Sequence, residues 1–199
     1  MMTDINSQYT ERYSNILVPL AKRLESFLCE IFEDTPRIDR ISARAKSIER
    51  FVSKSTKEEN GNKKYNDPLN QIQDQLGARI VVFYRDDVDI VSGLVESYFR
   101  PIEFRTVVPD SDYEFAYFGR HYILLIPDDV IDHKLPKILP FFELQIKTLF
   151  QHAWSEANHD LGYKPSKDLP AEFKRKIAFT SAQAWGADQI FNDLHRELE

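Results

Sequence analysis

The stretch FFELQIKTLFQHAWSEANHDLGYK, residues 141–164, decides the fold of this chain. In its first part Phe142, Leu144 and Ile146 alternate with polar residues, which is the period-two pattern of a strand with one buried face. Thr148 is of a residue type that caps helices, and helical spacing begins directly after it. We therefore predict a central strand that passes without a loop into a helix.

The polar face of this strand carries an acid, an amide and a base in a row: Glu143, Gln145 and Lys147. One interpretation is the solvated side of an antiparallel sheet, which is often charged. The other interpretation is the wall of an active site, to which a single strand delivers several functional groups.

The helix after the strand places His152, Glu156 and His159 on one face, because their spacing follows the helical repeat. Such a set could bind zinc, but the order HExxH is absent and the glutamate stands between the two histidines. Hydrogen bonds across the helix surface are therefore the favoured interpretation.

Composition limits the classes of protein to which the chain can belong. Its 199 residues, 42% hydrophobic and 29% charged, suit a globular domain with a sizeable core. The net charge of −6 disfavours wholesale binding of nucleic acid but allows a local basic cleft for a phosphate ligand. The single Cys29 excludes an internal disulfide, and no apolar run reaches transmembrane length. We expect a cytoplasmic protein with no membrane partner.

The predicted elements alternate between helices and strands. They are a helix over 5–34, a strand over 38–46, a helix from Ser47, a polar loop over 56–68, a short helix through Leu69 and Ile72, strands over 79–84, 101–108 and 115–126, and a C-terminal helix over 169–199. A further helix after Asp86 and Asp87 precedes the strand over 101–108.

This order predicts an α+β fold with a mixed sheet of about five strands, flanked by helices. We divide the chain into an N-terminal helix (1–35), a central domain (36–165) and a C-terminal helical extension packed on that domain (166–199). The apolar stripe of the C-terminal helix consists of Phe173, Ile177, Ala184, Ile190, Phe191 and Leu194.

Two further places could bind anions or metal ions. Arg44, Lys46 and Lys54 could converge where a strand passes into a helix, and the alternative is a solvated basic face. Asp74 stands at the mouth of the next strand, which contains Arg79, and a carboxylate there can ligate magnesium or cap a turn.

Taken together, these pieces resemble the synthetase domain of the RelA/SpoT family over roughly residues 40–165. The matching motifs, in chain order, are Arg44-Ala-Lys46-Ser47 with Lys54, Asp74-Gln-Leu-Gly77-Ala-Arg79, Phe115-Ala-Tyr117-Phe-Gly-Arg-His121-Tyr122 and Glu143-Leu-Gln145-Ile-Lys147-Thr148. Each motif alone is weak, but their common order and their placement on the expected elements make the resemblance specific.

The resemblance implies a nucleotidyltransferase-like fold and the transfer of pyrophosphate from ATP to the 3′-hydroxyl of GDP or GTP, which makes the alarmone (p)ppGpp. The hydrolase domain of the long family members has no counterpart here, so the chain resembles a small alarmone synthetase.

The resemblance also implies roles for individual residues. Arg44, Lys46, Lys54 and Arg79 would hold ATP. Asp74 and Glu143 would ligate Mg²⁺, and Glu143 would take the proton from the 3′-hydroxyl. On the acceptor side, Tyr117 would stack on the guanine, and it would be joined by His121, Gln145 and Lys147.

Four departures from the family pattern concern mainly the acceptor. Arg50 replaces a serine, Ala116 a glycine and Gly119 a serine, and residues 112–114 (Asp-Tyr-Glu) stand where a Pro-Lys pair is usual. The loss of the Pro-Lys pair reduces the positive charge expected near the acceptor site. Two alternatives therefore stay open, namely a toxic relative that modifies the 3′ end of tRNA and a non-catalytic nucleotide-binding regulator. A homo-oligomer is a further open expectation, since the apolar face of the first helix fits either its own domain or a second subunit.

Overall fold

The computed structural model describes residues 4–107, 119–132, 134, 136, 138–162 and 170–199. The helices are α1 (Ile5–Arg12), α2 (Val18–Ile31), α3 (Ile48–Ser55), α4 (Pro68–Gln71), α5 (Arg85–Tyr98), α6 (Leu149–Gly162) and α7 (Ala171–Leu198). The strands are β1 (Ile38–Ala45), β2 (Glu58–Glu59), β3 (Asn62–Lys63), β4 (Leu76–Val82), β5 (Pro101–Val107), β6 (Gly119–Leu125) and β7 (Phe141–Thr148).

Within the described residues, five strands form one mixed sheet in the order β1-β4-β7-β6-β5. Strands β4 and β7 are parallel, and the other neighbours are antiparallel. Helices flank the sheet, and α7 packs against α5 and α6. The predicted fold class is confirmed. None of the helices in the described ranges is long and apolar enough to cross a membrane.

Strand β7 is the middle strand, as its alternating sequence predicts. Phe142, Leu144 and Ile146 are fully buried in the main core. That core also contains residues of β4, α2 and α5, among them Ile80, Val82, Leu24, Leu28, Val91 and Val95. The predicted cap is present too, since Thr148 Oγ1 accepts a hydrogen bond from the backbone N–H of Gln151 at 3.1 Å. The Gln151 side chain accepts one in return from the backbone of Thr148 at 3.1 Å.

The predicted helix over 5–34 is interrupted. A π-helical turn, Tyr13–Leu17, lies between α1 and α2 and is followed by Pro19 near the start of α2. Proline has no N–H to donate, and its ring crowds the carbonyl four residues earlier, which favours local widening of the helix. The helix also ends at Ile31, three residues before the predicted end.

Two other local predictions change in detail. The loop predicted over 56–68 contains the small hairpin β2–β3. Asn60 and Gly61 form its turn with φ of 53° and 78°, as expected for an Asn-Gly pair in a primed turn. Strand β4 begins at Leu76 rather than at Arg79, because Leu76 and Gly77 already pair with β1.

Candidate active site

The register of the sheet aligns polar residues across four strands. Arg79 is paired with Gln145, Gln145 with His121, and His121 with Arg105. In the adjacent row, Gly77 is paired with Arg44 and with Glu143. Since paired residues of neighbouring strands point to the same face, their side chains share one surface of the sheet.

Two cavities open on this surface. The first has a volume of about 550 Å³ and is lined by residues of β1, the β1–α3 connection, α3, β4 and β7 that include Ser42, Arg44, Lys46, Ser47, Arg50, Arg79 and Gln145. The second has a volume of about 490 Å³ and is lined by residues that include Lys54, Tyr65, Gln73, Arg105 and His121. Asp74 and Glu143 line both cavities, so the two spaces meet at this pair of carboxylates.

Asp74 is held by two lysines. Its Oδ2 lies 2.7 Å from Lys46 Nζ, and its Oδ1 lies 3.0 Å from Lys54 Nζ. Burial alone would raise the pKa of Asp74, but the charges and hydrogen bonds of Lys46 and Lys54 outweigh it, so the pKa is lowered. The carboxylate is therefore ionised at neutral pH.

Glu143 is held by His121 from the neighbouring strand. The Glu143 Oε1 atom lies 2.9 Å from His121 Nδ1. Burial would raise the pKa of Glu143, but the hydrogen bond and the charge of His121 outweigh it and lower the pKa, while the nearby Asp74 carboxylate opposes this effect. Glu143 is thus also ionised at neutral pH, and it lines the same two cavities as Asp74.

The first cavity is rich in guanidinium groups. Burial lowers the pKa of Arg44, and the neighbouring charges of Arg79 and Arg50 lower it further. Mutual repulsion among these cations is relieved when an anion enters, so the cavity is suited to a polyphosphate.

Helix α6 supports this cluster. Arg79 donates a hydrogen bond to Glu156 at 2.7 Å and lies 3.1 Å from His152 Nδ1. Arg50 lies 3.5 Å from His159 Nδ1. The histidine–glutamate face of α6 thus contacts arginines of β4 and α3. Within the described ranges, no group of three or more His, Cys, Asp or Glu side chains is arranged to hold a metal ion.

Lys147 lies behind the site and lines neither cavity. Its side chain is 3% exposed and donates a hydrogen bond to Ser155 Oγ at 3.1 Å. Burial, and then the charge of Arg79, lowers its pKa to about 7. Lys147, predicted on the acceptor side, is thus a buried residue that contacts Ser155 of α6.

The other predicted residues are distributed between the two cavities. Gln145, expected beside the acceptor, lines the first cavity together with Arg44 and Arg79. Lys54, expected beside ATP, lines the second cavity with His121. Tyr117, Ala116 and residues 112–114 lie outside the described residues.

Several lining residues were not predicted as site residues from the sequence. Ser42 and Arg50 line the first cavity, and Tyr65, Gln73 and Arg105 line the second. Ser42 precedes Arg44 by two residues on β1, so the period of the strand places both on one face and could have identified Ser42. Arg105 has no comparable signal, since its position opposite His121 depends on the pairing of two strands.

Comparison with known proteins agrees with the geometry. A family model described as the region found in RelA/SpoT proteins matches residues 43–168. The chain is 26% identical over 206 residues to GTP pyrophosphokinase YjbM from Bacillus subtilis (strain 168), with 95% of this chain and 91% of that protein covered.

Two solved structures have the same fold. Small alarmone synthetase 1 from Bacillus subtilis, bound to its product pppGpp, aligns with a TM-score of 0.77 at 22% identity over 95% of this chain and 99% of that one. A GTP pyrophosphokinase family protein from Streptococcus pneumoniae aligns with a TM-score of 0.76 at 23% identity over 99% of this chain and 96% of that one.

Proposed function

We propose, from the premise that the chain belongs to the RelA/SpoT family, that it transfers pyrophosphate from ATP to the 3′-hydroxyl of GDP or GTP and so makes (p)ppGpp. The observation that carries this proposal is the meeting of two cavities at Asp74 and Glu143. A transfer between two nucleotides needs one space for each nucleotide and a shared point where the reacting groups meet.

The first cavity is assigned to ATP. Arg44, Arg79 and Lys46 supply the positive charge that a triphosphate requires, and Gln145 adds an amide on the same wall. Lys46 and Lys54 both pair with Asp74. A bound triphosphate would compete for these lysines and leave the carboxylate available to a cation.

The site suits Mg²⁺ by its donor set. Magnesium in phosphoryl-transfer sites is held by one or two carboxylates together with substrate phosphates and water, and Asp74 and Glu143 are two ionised carboxylates at one junction. When bound, the ion would neutralise charge on the transferred phosphates. The observed lysine pairs show that Asp74 already stabilises positive charge at this point.

The second cavity is assigned to the acceptor nucleotide. Glu143 is ionised and can accept the proton of the 3′-hydroxyl, while His121 fixes the orientation of its carboxylate. Lys54 and Arg105 supply cations for the acceptor's own phosphates. Tyr117 keeps its predicted role as a stacking platform for guanine.

A free guanine nucleotide is favoured over tRNA as the acceptor. The missing Pro-Lys pair reduces the positive charge near the acceptor site, but Arg105 and Lys54 supply positive charge within the second cavity. The net charge of −6 also disfavours the extended phosphate contacts that a tRNA would make. The cytoplasm stays the predicted location.

The test is incubation of the pure protein with ATP labelled on its γ-phosphate, Mg²⁺ and one acceptor: GDP, GTP or deacylated tRNA, each at low and high salt. We expect labelled (p)ppGpp with GDP and GTP. Labelling of tRNA alone, lost at high salt, would overturn the acceptor. Transfer to no acceptor would overturn the enzyme and leave a nucleotide-binding regulator, which equilibrium binding of ATP would then identify.

A further inference from the structure

Two polar atoms on the wall of the first cavity are buried and have no hydrogen-bond partner among the described residues. They are the amide oxygen Oε1 of Gln145 and the guanidinium nitrogen Nε of Arg79. One is an acceptor and the other is a donor, but they do not bond to each other. Because buried polar groups in native proteins are almost always paired, two such exceptions in one cavity point to a ligand that pairs with both.

The other polar groups of these two side chains hold them in place. Arg79 Nη1 donates a hydrogen bond to Glu156 Oε1 at 2.7 Å and lies 3.1 Å from His152 Nδ1. The amide nitrogen of Gln145 donates a hydrogen bond to the carboxylate of Glu143. This contact fixes which end of the Gln145 amide is the oxygen, so a ligand meets an acceptor from Gln145 and a donor from Arg79.

These two residues lie farther along their strands than the reacting carboxylates. Gln145 and Arg79 are partners in the parallel register of β7 and β4. Gln145 follows Glu143 by two residues, which is about 7 Å along an extended strand, and Asp74 lies before the first residue of β4. If ATP reacts at Glu143 and Asp74, its reacting phosphates lie near them and its base lies farther along the strands. The acceptor and the donor therefore stand at the base end of the cavity.

The edge of adenine offers the two groups that would pair with these atoms. Its 6-amino group is a donor, and the neighbouring ring nitrogen N7 is an acceptor. An acceptor and a donor side by side on the protein are complementary to this edge. Guanine has the acceptors O6 and N7 at the same positions, so its O6 would face Gln145 Oε1 without a proton between them.

We propose that Gln145 selects the donor nucleotide: its Oε1 accepts a hydrogen bond from the 6-amino group of ATP, and Arg79 Nε donates one to the neighbouring ring nitrogen. This inference rests on the proposed function and adds a specificity-determining residue to it. Such selection is useful because the acceptor is itself a guanine nucleotide, which would otherwise compete for the first cavity. Guanine in that cavity would leave Oε1 of Gln145 unpaired, whereas adenine pairs with it.

The first test measures equilibrium binding to the pure protein with Mg²⁺ and without an acceptor nucleotide. The two ligands are ATP and purine riboside 5′-triphosphate, which lacks the 6-amino group. The wild type should bind ATP about tenfold more tightly. Gln145→Met keeps the length of the side chain and removes the acceptor, so it should bind both ligands with equal affinity. Glu49→Gln is the matched control, since Glu49 is an exposed residue of the same cavity on α3, and the preference for ATP should persist.

Each other outcome of this test contradicts the inference. Equal binding of the two ligands by the wild type, or a preference for ATP that survives in Gln145→Met, would overturn it. If Gln145→Met bound neither ligand, Gln145 would be a structural support of the cavity. If the effect of the substitution disappeared with 2′-deoxyATP, the partner of Gln145 would be the ribose and not the base. A wild type that binds neither ligand would overturn the proposed function as well.

The second test uses the reaction itself, with GDP as the acceptor and either ATP or GTP as the donor. The use of each donor is counted as the AMP or GMP released. The ratio of kcat/KM for ATP to kcat/KM for GTP should fall about tenfold in Gln145→Met, because O6 of guanine no longer faces an acceptor. An unchanged ratio would contradict the role of Gln145 in selecting the donor.

Discussion

The Nδ1 atom of His121 lies 2.9 Å from the Oε1 atom of Glu143, across the pairing of β6 and β7. The two residues are not direct partners in the register, since His121 is paired with Gln145 and Glu143 with Ile123. Their contact is therefore diagonal, and it holds the carboxylate at the junction of the two cavities. Two sequence motifs separated by about twenty residues become one functional unit through this contact.

Replacement of Glu143 by glutamine should abolish most of the turnover. Glutamine keeps the size and the hydrogen-bonding capacity but removes the base, whose loss typically costs about a hundred- to ten-thousand-fold in rate. The melting temperature should change little, because Glu143 lies on the polar face of β7. Product formation under saturating ATP and GTP checks this, and near-normal turnover would show that another residue is the base.

Arg50→Ser, which restores the serine usual in the family, should weaken ATP binding. Arg50 lines the first cavity and is half-buried, and the loss of one charged contact there should raise the KM for ATP by about tenfold. The KM for the acceptor should stay constant. Lys57→Ser is the matched control, since it removes a cation from an exposed position that lines neither cavity. If both substitutions raised the KM for ATP equally, the effect of Arg50 would come from the overall charge of the protein and not from a contact in the first cavity.

Tyr117→Ala should weaken binding of the acceptor and spare ATP. Stacking of a base on an aromatic ring contributes about 1–3 kcal/mol, which corresponds to roughly a five- to 150-fold rise in the KM for GDP or GTP. Tyr117→Phe keeps the ring and should retain the wild-type KM. If the alanine variant instead raised the KM for ATP, the ring would belong to the donor side.

Asp188→Asn should make stability less dependent on pH. Burial raises the pKa of Asp188 to about 6 from 3.8, against the opposing effects of Thr148 and Arg85. Because the pKa of Asp188 is higher in the folded than in the unfolded protein, the protonated carboxyl group favours the folded state. This contribution to the free energy of unfolding is fully present below about pH 4. It is lost as the pH rises through 6, and it amounts to about 3 kcal/mol. Asparagine still accepts the hydrogen bond from Thr148 without carrying a charge.

The measurement for this variant is the free energy of unfolding of both proteins between pH 4 and 8. The variant should be the more stable protein at pH 7.5, and the difference should shrink toward pH 4. Asp193→Asn, at an exposed acid of the same helix, is the control and should show no such trend. A difference that does not vary with pH would contradict the assignment.

The sequence by itself determined the elements whose signals are local. The alternation of Phe142, Leu144 and Ile146 identified the central strand, and Thr148 identified the start of the following helix. Both signals arise within a few residues, because side-chain direction in a strand and capping of a helix are short-range effects. The order of the motifs was likewise sufficient to indicate the family.

Only the tertiary structure decided how these elements divide the site. An alternating pattern shows that Gln145 and Lys147 share a face, but strand pairing and the packing of α6 place Gln145 in the first cavity and bury Lys147 behind it. The same holds for Arg105, which joins the second cavity through its pairing with His121.

The orientation of α7 also depends on tertiary packing. Its apolar residues indicate a stripe, but the contacts of α7 also include the hydrogen bonds that Asp188 accepts from Thr148 and Asn192 accepts from the backbone of Asp86, beside the stacking of Phe191 on Phe150. Which face of a helix is buried depends on what the neighbouring elements present to it, and those neighbours are distant in sequence. Local periodicity determines that a helix has two faces, whereas long-range packing determines which of them faces inward.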